Sequence, residues 1–364
     1  MLYIVATFFI IGIVDYVLGN KFKLGEKLIE GLNSMGALAL SMIGILSITP
    51  MISNILTKNI LPILNEISFI DPSIISSSIL AVDMGGYKIA SSISSNQNMI
   101  YFSGVLISSI VGCTISFTLP LALGIIKEDD IEILCKGILC GLVTLPISLF
   151  IGGLLLNIEI NILINNILPI IILSIIIIIG IYKFPSKTIY IFKIISKVIF
   201  ITSILGLGLQ GVNSISGEEI IKNLLPIEEV LTIVGKIAIF LAGANVMIEV
   251  INRCFYKKIN SLSKVMNINS YSVAALIGSL ASAVIVFNNF DKLDKRGKVI
   301  CSSFSVGGAY VLGGQLGYVV TEAKEITFIY IFVKLLCGIL SIILSLYIIK
   351  NFINESNIRI NKAY

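Results

Sequence analysis

The chain has 364 residues, of which 56% are hydrophobic and only 13% charged, whereas soluble domains carry about 25% charge, so a polytopic membrane protein is predicted. Because histidine is absent, imidazole metal sites, Ser-His-Asp triads and histidine general bases are excluded. The net charge of +5 comes from lysines and arginines between apolar runs, so it indicates topology and not a nucleic-acid surface.

Eleven apolar segments follow one another, each close to the about 20 residues that a helix needs to cross a bilayer core. The first has no basic region before it and no small-residue cleavage site after it, so we interpret it as a retained helix and not as a signal peptide. Asp15 near its end is expected to reach water in a structural role. The segments are 2–19, 34–57, 73–90, 99–126, 134–156, 162–182, 189–212, 230–255, 271–290, 299–320 and 326–349.

The charges of the loops do not alternate as they should if all eleven segments crossed, since short cytoplasmic loops are enriched in lysine and arginine. The loops on both sides of the acidic stretch 218–229 are basic. Alternation returns if 73–90 and 271–290 each enter the membrane and leave on the same side. We therefore predict nine spanning helices and two re-entrant helical hairpins, near 64–98 and 264–292, with the N-terminus outside and the C-terminus in the cytoplasm.

The two hairpins enter from opposite surfaces, which predicts an inverted-topology repeat. Such repeats occur in several secondary transporter folds, which bind their substrate near the midplane. Residues 1–157 form the first predicted repeat, 158–188 a connecting helix and loop, and 189–364 the second repeat. Hairpin arms of about ten residues are about 15 Å long, so the two tips should meet near the bilayer centre.

Asp83 most needs an explanation, because a carboxylate at the centre of a membrane helix costs about 2.5 to 3.5 kcal/mol on insertion scales. Gly85 and Gly86 follow it and should break the helix, placing Asp83 at the C-terminal end of a half-helix, whose dipole also favours a cation. We predict that Asp83, Gly85, Gly86 and Tyr87 bind a small cation. The alternative is an aspartate that only bonds free backbone amides at a turn.

The second hairpin and the tenth segment supply further candidates for the site. Ser279 and Ser282 should lie at the second tip, and Tyr310 and Gln315 lie among glycines in 299–320. The alternative for the serines and glycines is close helix packing. Lys334 lies deep in the last segment, as Lys236 does in the eighth, and either could pair with an acid that the sequence does not identify.

No cofactor or metal site is predicted. There is no G-x-x-x-x-G-K-[ST] motif, and the G-x-G-x-x-G match at 206–211 ends an apolar helix instead of following a strand. The six cysteines are scattered without a C-x-x-C pair, which is typical of small core residues.

Four stretches resemble the EutH family of ethanolamine utilisation transporters: 30–40, 83–86, 119–126 and 296–299. The resemblance runs from the first helix to near the C-terminus. It implies a permease of the bacterial cytoplasmic membrane that brings ethanolamine in for breakdown, whereas composition and loop charge indicate only a secondary transporter that favours a cation. Ethanolamine is a primary amine and is largely protonated at neutral pH, as lysine is.

Two places depart from the family pattern. Family members can carry an Asn pair and a Pro where this chain has Ser282, Ala283 and Ile285, and an Asp-His where it has Gly314 and Gln315. The implied site is therefore best matched at Asp83.

Other functions remain as alternatives. A passive channel or facilitator for small amines would never raise the internal concentration above the external one. A membrane-embedded enzyme would need clustered nucleophiles and bases, and an ABC permease subunit would need an ATPase. The predicted partners are the lipid bilayer and a small cation, with no nucleic acid, and a homo-oligomer stays open.

Overall fold

The computed structural model describes residues 2–59, 70–254, 261 and 263–361, and its regular elements are helices, as predicted. Residues 64–69, the start of the first predicted hairpin, lie outside the described residues. In chain order the helices are α1 (Leu2–Val17), α2 (Leu24–Ser47), α3 (Thr49–Asn59), α4 (Ser73–Ile79), α5 (Tyr87–Ile93), α6 (Gln97–Leu123), α7 (Ile131–Leu155), α8 (Ile160–Lys183), α9 (Pro185–Ser216), α10 (Ile227–Cys254), α11 (Ser270–Ser279), α12 (Val284–Asn288), α13 (Lys295–Gly307), α14 (Gly314–Glu322) and α15 (Thr327–Asn361).

Six of the helices in the described ranges contain a stretch long and apolar enough to cross a bilayer. They confirm the prediction of a multi-pass membrane protein. Two shorter apolar helices are Tyr3–Val17 and Ser270–Ser279. The six long stretches are Gln97–Leu123, Glu128–Leu155, Ile160–Ile181, Ser186–Ser216, Ile227–Ile251 and Lys324–Ile349.

Helices α8 and α9 lie at the edge of the bundle, with rows of large apolar side chains pointing outward. Ile176, Phe200 and Leu205 are each more than half exposed, as expected for surfaces that face lipid. The interior holds one extended apolar cluster that runs from α2 to α15 and three smaller ones beside it. Its helices approach closely at glycines: a Cβ at Gly31 would collide with the backbone of Ala242 in α10, which is how small residues let membrane helices pack.

The tenth predicted segment, 299–320, is not one helix, so this prediction is wrong. Helix α13 ends at Gly307 and α14 starts at Gly314, while Tyr310 between them has a left-handed φ of 62°. The break is stable because its free amides find carbonyls at the end of α11. Tyr310 N donates to Ser279 O at 3.0 Å and Leu312 N donates to Leu280 O at 2.8 Å, so these two amides of the break are paired, as buried backbone amides usually are.

An aspartate joins the two ends of the stretch 71–94, which contains α4 and α5. Asp71 accepts hydrogen bonds from Ser73 N at 3.0 Å, at the start of α4, and from Ser94 Oγ at 2.7 Å, just after α5. The two helices also pack against each other. The chain therefore leaves this stretch beside the point at which it entered.

Asp294 does the same for the stretch 269–294, which contains α11 and α12. Its carboxylate accepts hydrogen bonds from Asn269 N at 2.9 Å and from Ser272 Oγ at 2.8 Å. Asn269 Nδ2 in turn donates to Lys292 O at 2.8 Å. Both ends of this stretch therefore also lie together.

Asp15 is structural, as predicted, but it does not reach water. It is 4% exposed, and its carboxylate accepts hydrogen bonds from the amides of Phe22, Leu24 and Gly25 at the start of α2. These amides are the unpaired donors of a helix N-terminus, where a carboxylate is favourable.

Candidate functional site

Asp83 lies in the break between α4 and α5. Helix α4 ends at Ile79, Leu80 and Ala81 are extended, and Val82–Gly86 forms an irregular turn, in which Met84 and Gly85 have non-helical dihedral angles, before α5 begins at Tyr87. Asp83 is therefore in the turn between the two helices and not at the C-terminal end of the first, which corrects the prediction.

The two predicted glycines make this turn sterically possible. Gly85 has a φ of 91°, a conformation that other residues rarely adopt. A Cβ at Gly86 would collide with Ser108 Oγ of α6, and this hydroxyl donates to the free carbonyl of Leu80 at 2.6 Å. The glycines thus let the turn pack directly against α6.

The side chain of Asp83 is partly buried, and within the described ranges no other side chain donates a hydrogen bond to it or forms an ion pair with it. The turn packs against α2, α6 and α14. The nearby ammonium of Lys334 attracts the carboxylate electrostatically, but the pair is not in direct contact. The carboxylate is therefore available to accept hydrogen bonds from a cation.

Lys334 is the buried charge that faces this site from α15. It is 1% exposed, and its Nζ donates to Ser109 O and to Gln315 Oε1, both at 2.8 Å. Its ammonium also lies 5.7 Å from the centre of the Tyr330 ring, a favourable cation–π geometry. A buried ammonium in a membrane protein is costly and usually functional.

The break between α13 and α14 brings two predicted residues to Lys334. Gln315 begins α14, and its Oε1 accepts from Lys334 and, at 3.5 Å, from Tyr330 Oη. Tyr330 Oη also donates to the carbonyl of Tyr310 at 3.2 Å. Gln315 and Tyr310 therefore belong to one polar cluster with Lys334.

Two buried phenols near this cluster lack a hydrogen-bond partner in the part of the chain that the structure describes. They are Tyr310 Oη, whose ring packs edge-on against Phe117 at 5.9 Å, and Tyr318 Oη, whose ring packs edge-on against Tyr87 at 6.3 Å. Buried polar groups without partners are rare in proteins. They are candidates to bind a polar ligand.

The hydroxyls of the two predicted serines at the second tip do not bond to this cluster; Ser279 reaches it only through its backbone carbonyl, which accepts from Tyr310 N. Ser279 Oγ donates to Leu276 O within its own helix at 2.6 Å, and Ser282 Oγ accepts from Val284 N at 3.3 Å. The hydroxyls therefore bond the local backbone. Lys236 lies at an exposed position and lines a groove of 390 Å³ with residues of α1 and α14.

The sequence predicts for Lys334 only that it could pair with an unidentified acid. Lys334 nevertheless lies eight residues into an apolar span. An ionisable residue at that depth is itself a signal. Its hydrogen-bond partners are backbone and amide oxygens, and one of them, Ser109, is 225 positions away.

Broken helices around a buried carboxylate and a buried ammonium are typical of membrane transport proteins. Comparison with known families agrees: residues 1–348 match the family described as ethanolamine utilisation protein, EutH. The chain belongs to the EutH family, so the resemblance is confirmed.

Curated relatives match along nearly their whole length. A protein of Listeria monocytogenes serotype 1/2a (strain 10403S) named probable ethanolamine permease EutH is 34% identical over 356 residues, 98% of this chain and 95% of the relative. A protein with the same name from Escherichia coli (strain K12) is 31% identical, covering 94% of this chain and 93% of its own. The uncharacterized protein YxeR of Bacillus subtilis (strain 168) is 37% identical, covering 93% of this chain and 91% of its own. No solved structure matches the chain.

Proposed function

We propose that the protein is a secondary carrier that brings ethanolamine, in its ammonium form, into the cytoplasm of a bacterium. The names of the relatives support ethanolamine as the substrate. The observation that carries the proposal is the Asp83 carboxylate, which is partly buried in a helix break and accepts no hydrogen bond from another described side chain.

Asp83 accepts hydrogen bonds from the ammonium of the substrate. Because Gly85 and Gly86 have no side chains, the turn leaves room for the substrate ammonium to contact Asp83. The buried phenols of Tyr310 and Tyr318, which have no partner in the described structure, are available to the hydroxyl of the substrate. Pairing them would remove the free-energy cost of unsatisfied polar groups.

Lys334 balances the charge of Asp83 when no substrate is bound. A carboxylate and an ammonium together leave the empty site neutral, so the empty carrier can change conformation without moving a net charge through the membrane. The Asp83 carboxylate attracts both the ammonium of Lys334 and that of bound ethanolamine, so the substrate competes with Lys334 for this electrostatic interaction.

The stretches 71–94 and 269–294 form re-entrant hairpins that enter from opposite surfaces in two inverted repeats, with the N-terminus outside. Asp71 and Asp294, which join the ends of each stretch, support this arrangement. A cysteine at Ser95 should then react with an impermeant thiol reagent from outside, and one at Lys292 only from the cytoplasm. Cys254, which is exposed, is replaced by serine first, and labelling of both sites from one side would contradict the topology.

The transport function is tested with purified protein in proteoliposomes and labelled ethanolamine, with and without proton or sodium gradients. Uptake above the external concentration under one gradient is expected for a carrier. Equilibration without accumulation would favour the passive facilitator, and absence of uptake would contradict transport of ethanolamine.

A further inference from the structure

A pair of carboxylates holds the ammonium of Lys88, five residues after Asp83 in the chain. Lys88 on α5 extends its Nζ to Glu229 Oε1 at 2.7 Å and to Glu322 Oε2 at 2.8 Å. Glu229 is in the first turn of α10 and Glu322 ends α14. A primary ammonium thus bridges carboxylates from two helices at charge-assisted hydrogen-bond distances.

This ion-pair cluster is half-buried and not a surface contact. The side chains of Lys88 and Glu322 are 21% and 16% exposed, and that of Glu229 is 44% exposed. Glu229 lies toward solvent and Glu322 toward the protein interior. The two carboxylates therefore lie at successive depths between the solvent and the interior of the bundle.

An unpaired buried phenol lies one helical turn before Glu322 on α14, the helix that packs against the turn of Asp83. Tyr318 is fully buried, its Oη has no hydrogen-bond partner among the described residues, and its ring packs edge-on against Tyr87, the residue before Lys88. Glu322, Asp83, Tyr87 and Glu229 all act electrostatically on this phenol. The phenol oxygen is thus an unused acceptor within the electrostatic range of both Asp83 and the two glutamates.

We propose that Glu322 and Glu229 form a second site for a primary ammonium, at which the substrate replaces the Lys88 ammonium before it passes Tyr318 to reach Asp83. The inference rests on the proposed function. The R–NH₃⁺ head of ethanolamine carries the same three donors as the lysine side chain, so the position of Lys88 Nζ marks where the substrate ammonium binds. Replacing Lys88 also frees α5, which follows Asp83, from α10 and α14.

Two roles of the ion pair can be distinguished by the KM for ethanolamine: competition of Lys88 with the substrate, and a purely structural role in which the ion pair only braces the helices. If Lys88 competes with the substrate, E322Q raises the KM for ethanolamine about tenfold, because a charged acceptor is lost. K88M lowers KM several-fold, because the competing ammonium is gone. If the ion pair is only a brace, both variants break the same contact and move KM in the same direction.

The measurement is initial uptake into proteoliposomes over a range of ethanolamine concentrations, for E322Q, K88M, the charge-retaining E322D and K88R, and a control. The control is D291N, which breaks the exposed ion pair of Lys127 and Asp291 far along the chain and should leave KM unchanged. Elution as a single species from size exclusion shows that each variant is folded. If E322Q does not fold, the test is the difference between K88M, which should lower KM, and E322D, which should leave it unchanged; equal KM values in K88M and the wild-type protein would then overturn the second site.

An unchanged KM in E322Q, or a higher KM in K88M, overturns the second site. The proposed function fails separately: if the wild-type protein does not transport ethanolamine, or if D83N transports it normally, the primary assignment is wrong. Transport that depends on Asp83 with no opposite shifts at Lys88 and Glu322 removes only the second site.

Discussion

The two stretches 71–94 and 269–294 are alike at their ends and different at their tips. An aspartate joins the ends of each. The first tip carries a carboxylate to which no other described side chain donates a hydrogen bond, whereas the hydroxyls of the second tip bond their own backbone. The second tip instead offers its carbonyls to the break between α13 and α14. One tip is thus suited to bind a ligand, and the other holds open the break that brings Gln315 to Lys334.

The largest expected effect tests this difference directly. D83N should reduce ethanolamine uptake by about 30-fold or more, because truncating one partner of a buried charge contact costs about 2 to 5 kcal/mol. S279A, the matched change at the second tip, should alter uptake by no more than about twofold, since its hydroxyl only bonds Leu276 O. Equal losses in both variants, measured as initial rates per amount of reconstituted protein, would contradict the assignment of different roles.

The next effect concerns the charge that balances Asp83. K334M removes the donor to Ser109 O and Gln315 Oε1, so two buried acceptors lose a partner at about 1 to 3 kcal/mol each. Uptake should fall at least about tenfold and the thermal midpoint should decrease. The double variant D83N/K334M should be less destabilised than the sum of the single variants, because it is neutral again. Simple additivity in thermal unfolding would show that the two charges do not interact.

The features of this site that depend on neighbouring residues in the sequence can be predicted, whereas those that depend on contacts between distant residues cannot. The membrane class follows from long apolar runs, and Asp83 and its glycines stand out because a charge and two glycines interrupt such a run. The break at 308–313 was predicted as a continuous helix, because a run of apolar and small residues looks the same in both cases. Its glycine pairs were the available signal, and they were attributed to packing.

The position of the first break shows a related limit. Glycines indicate where a helix can break, but the observed helix ends at Ile79, before the glycines, because Ala81 O accepts the amides of Met84 and Gly86 across the turn at 3.0 Å. Lys334 could not be paired from sequence, since its partner Ser109 is brought to it by tertiary packing. The sequence therefore predicts local features such as Asp83 and its glycines, but not which residues far apart in the chain pair with each other.

A smaller effect is expected where the second tip meets the helix break. A Cβ at Gly313 would collide with the carbonyl oxygen of Ala281, so G313A should lower the free energy of unfolding by about 1 to 3 kcal/mol. The control is G208A in α9, where nothing lies within 4 Å; it should be neutral or stabilising by about 0.5 to 1 kcal/mol. Thermal unfolding in detergent measures both, and equal stability of the two variants would show that the contact with Ala281 is not needed.

The smallest effect concerns how each stretch is tied to the rest of the bundle. Lys88 of the first stretch forms half-buried ion pairs, whereas Asp291 of the second pairs with Lys127 at 2.6 Å with both side chains mostly exposed. The hydrogen bond from Lys127 lowers the pKa of the Asp291 carboxyl, so the contribution of the pair is present at neutral pH and is lost as the pH falls below about 4. High salt should screen this exposed pair more than the Lys88 cluster. At pH 7, high salt should therefore reduce the small difference in thermal midpoint between wild type and D291N. The difference between wild type and E322Q should mostly remain at high salt. A larger reduction for E322Q than for D291N would mean that the Lys88 cluster is the more solvated of the two.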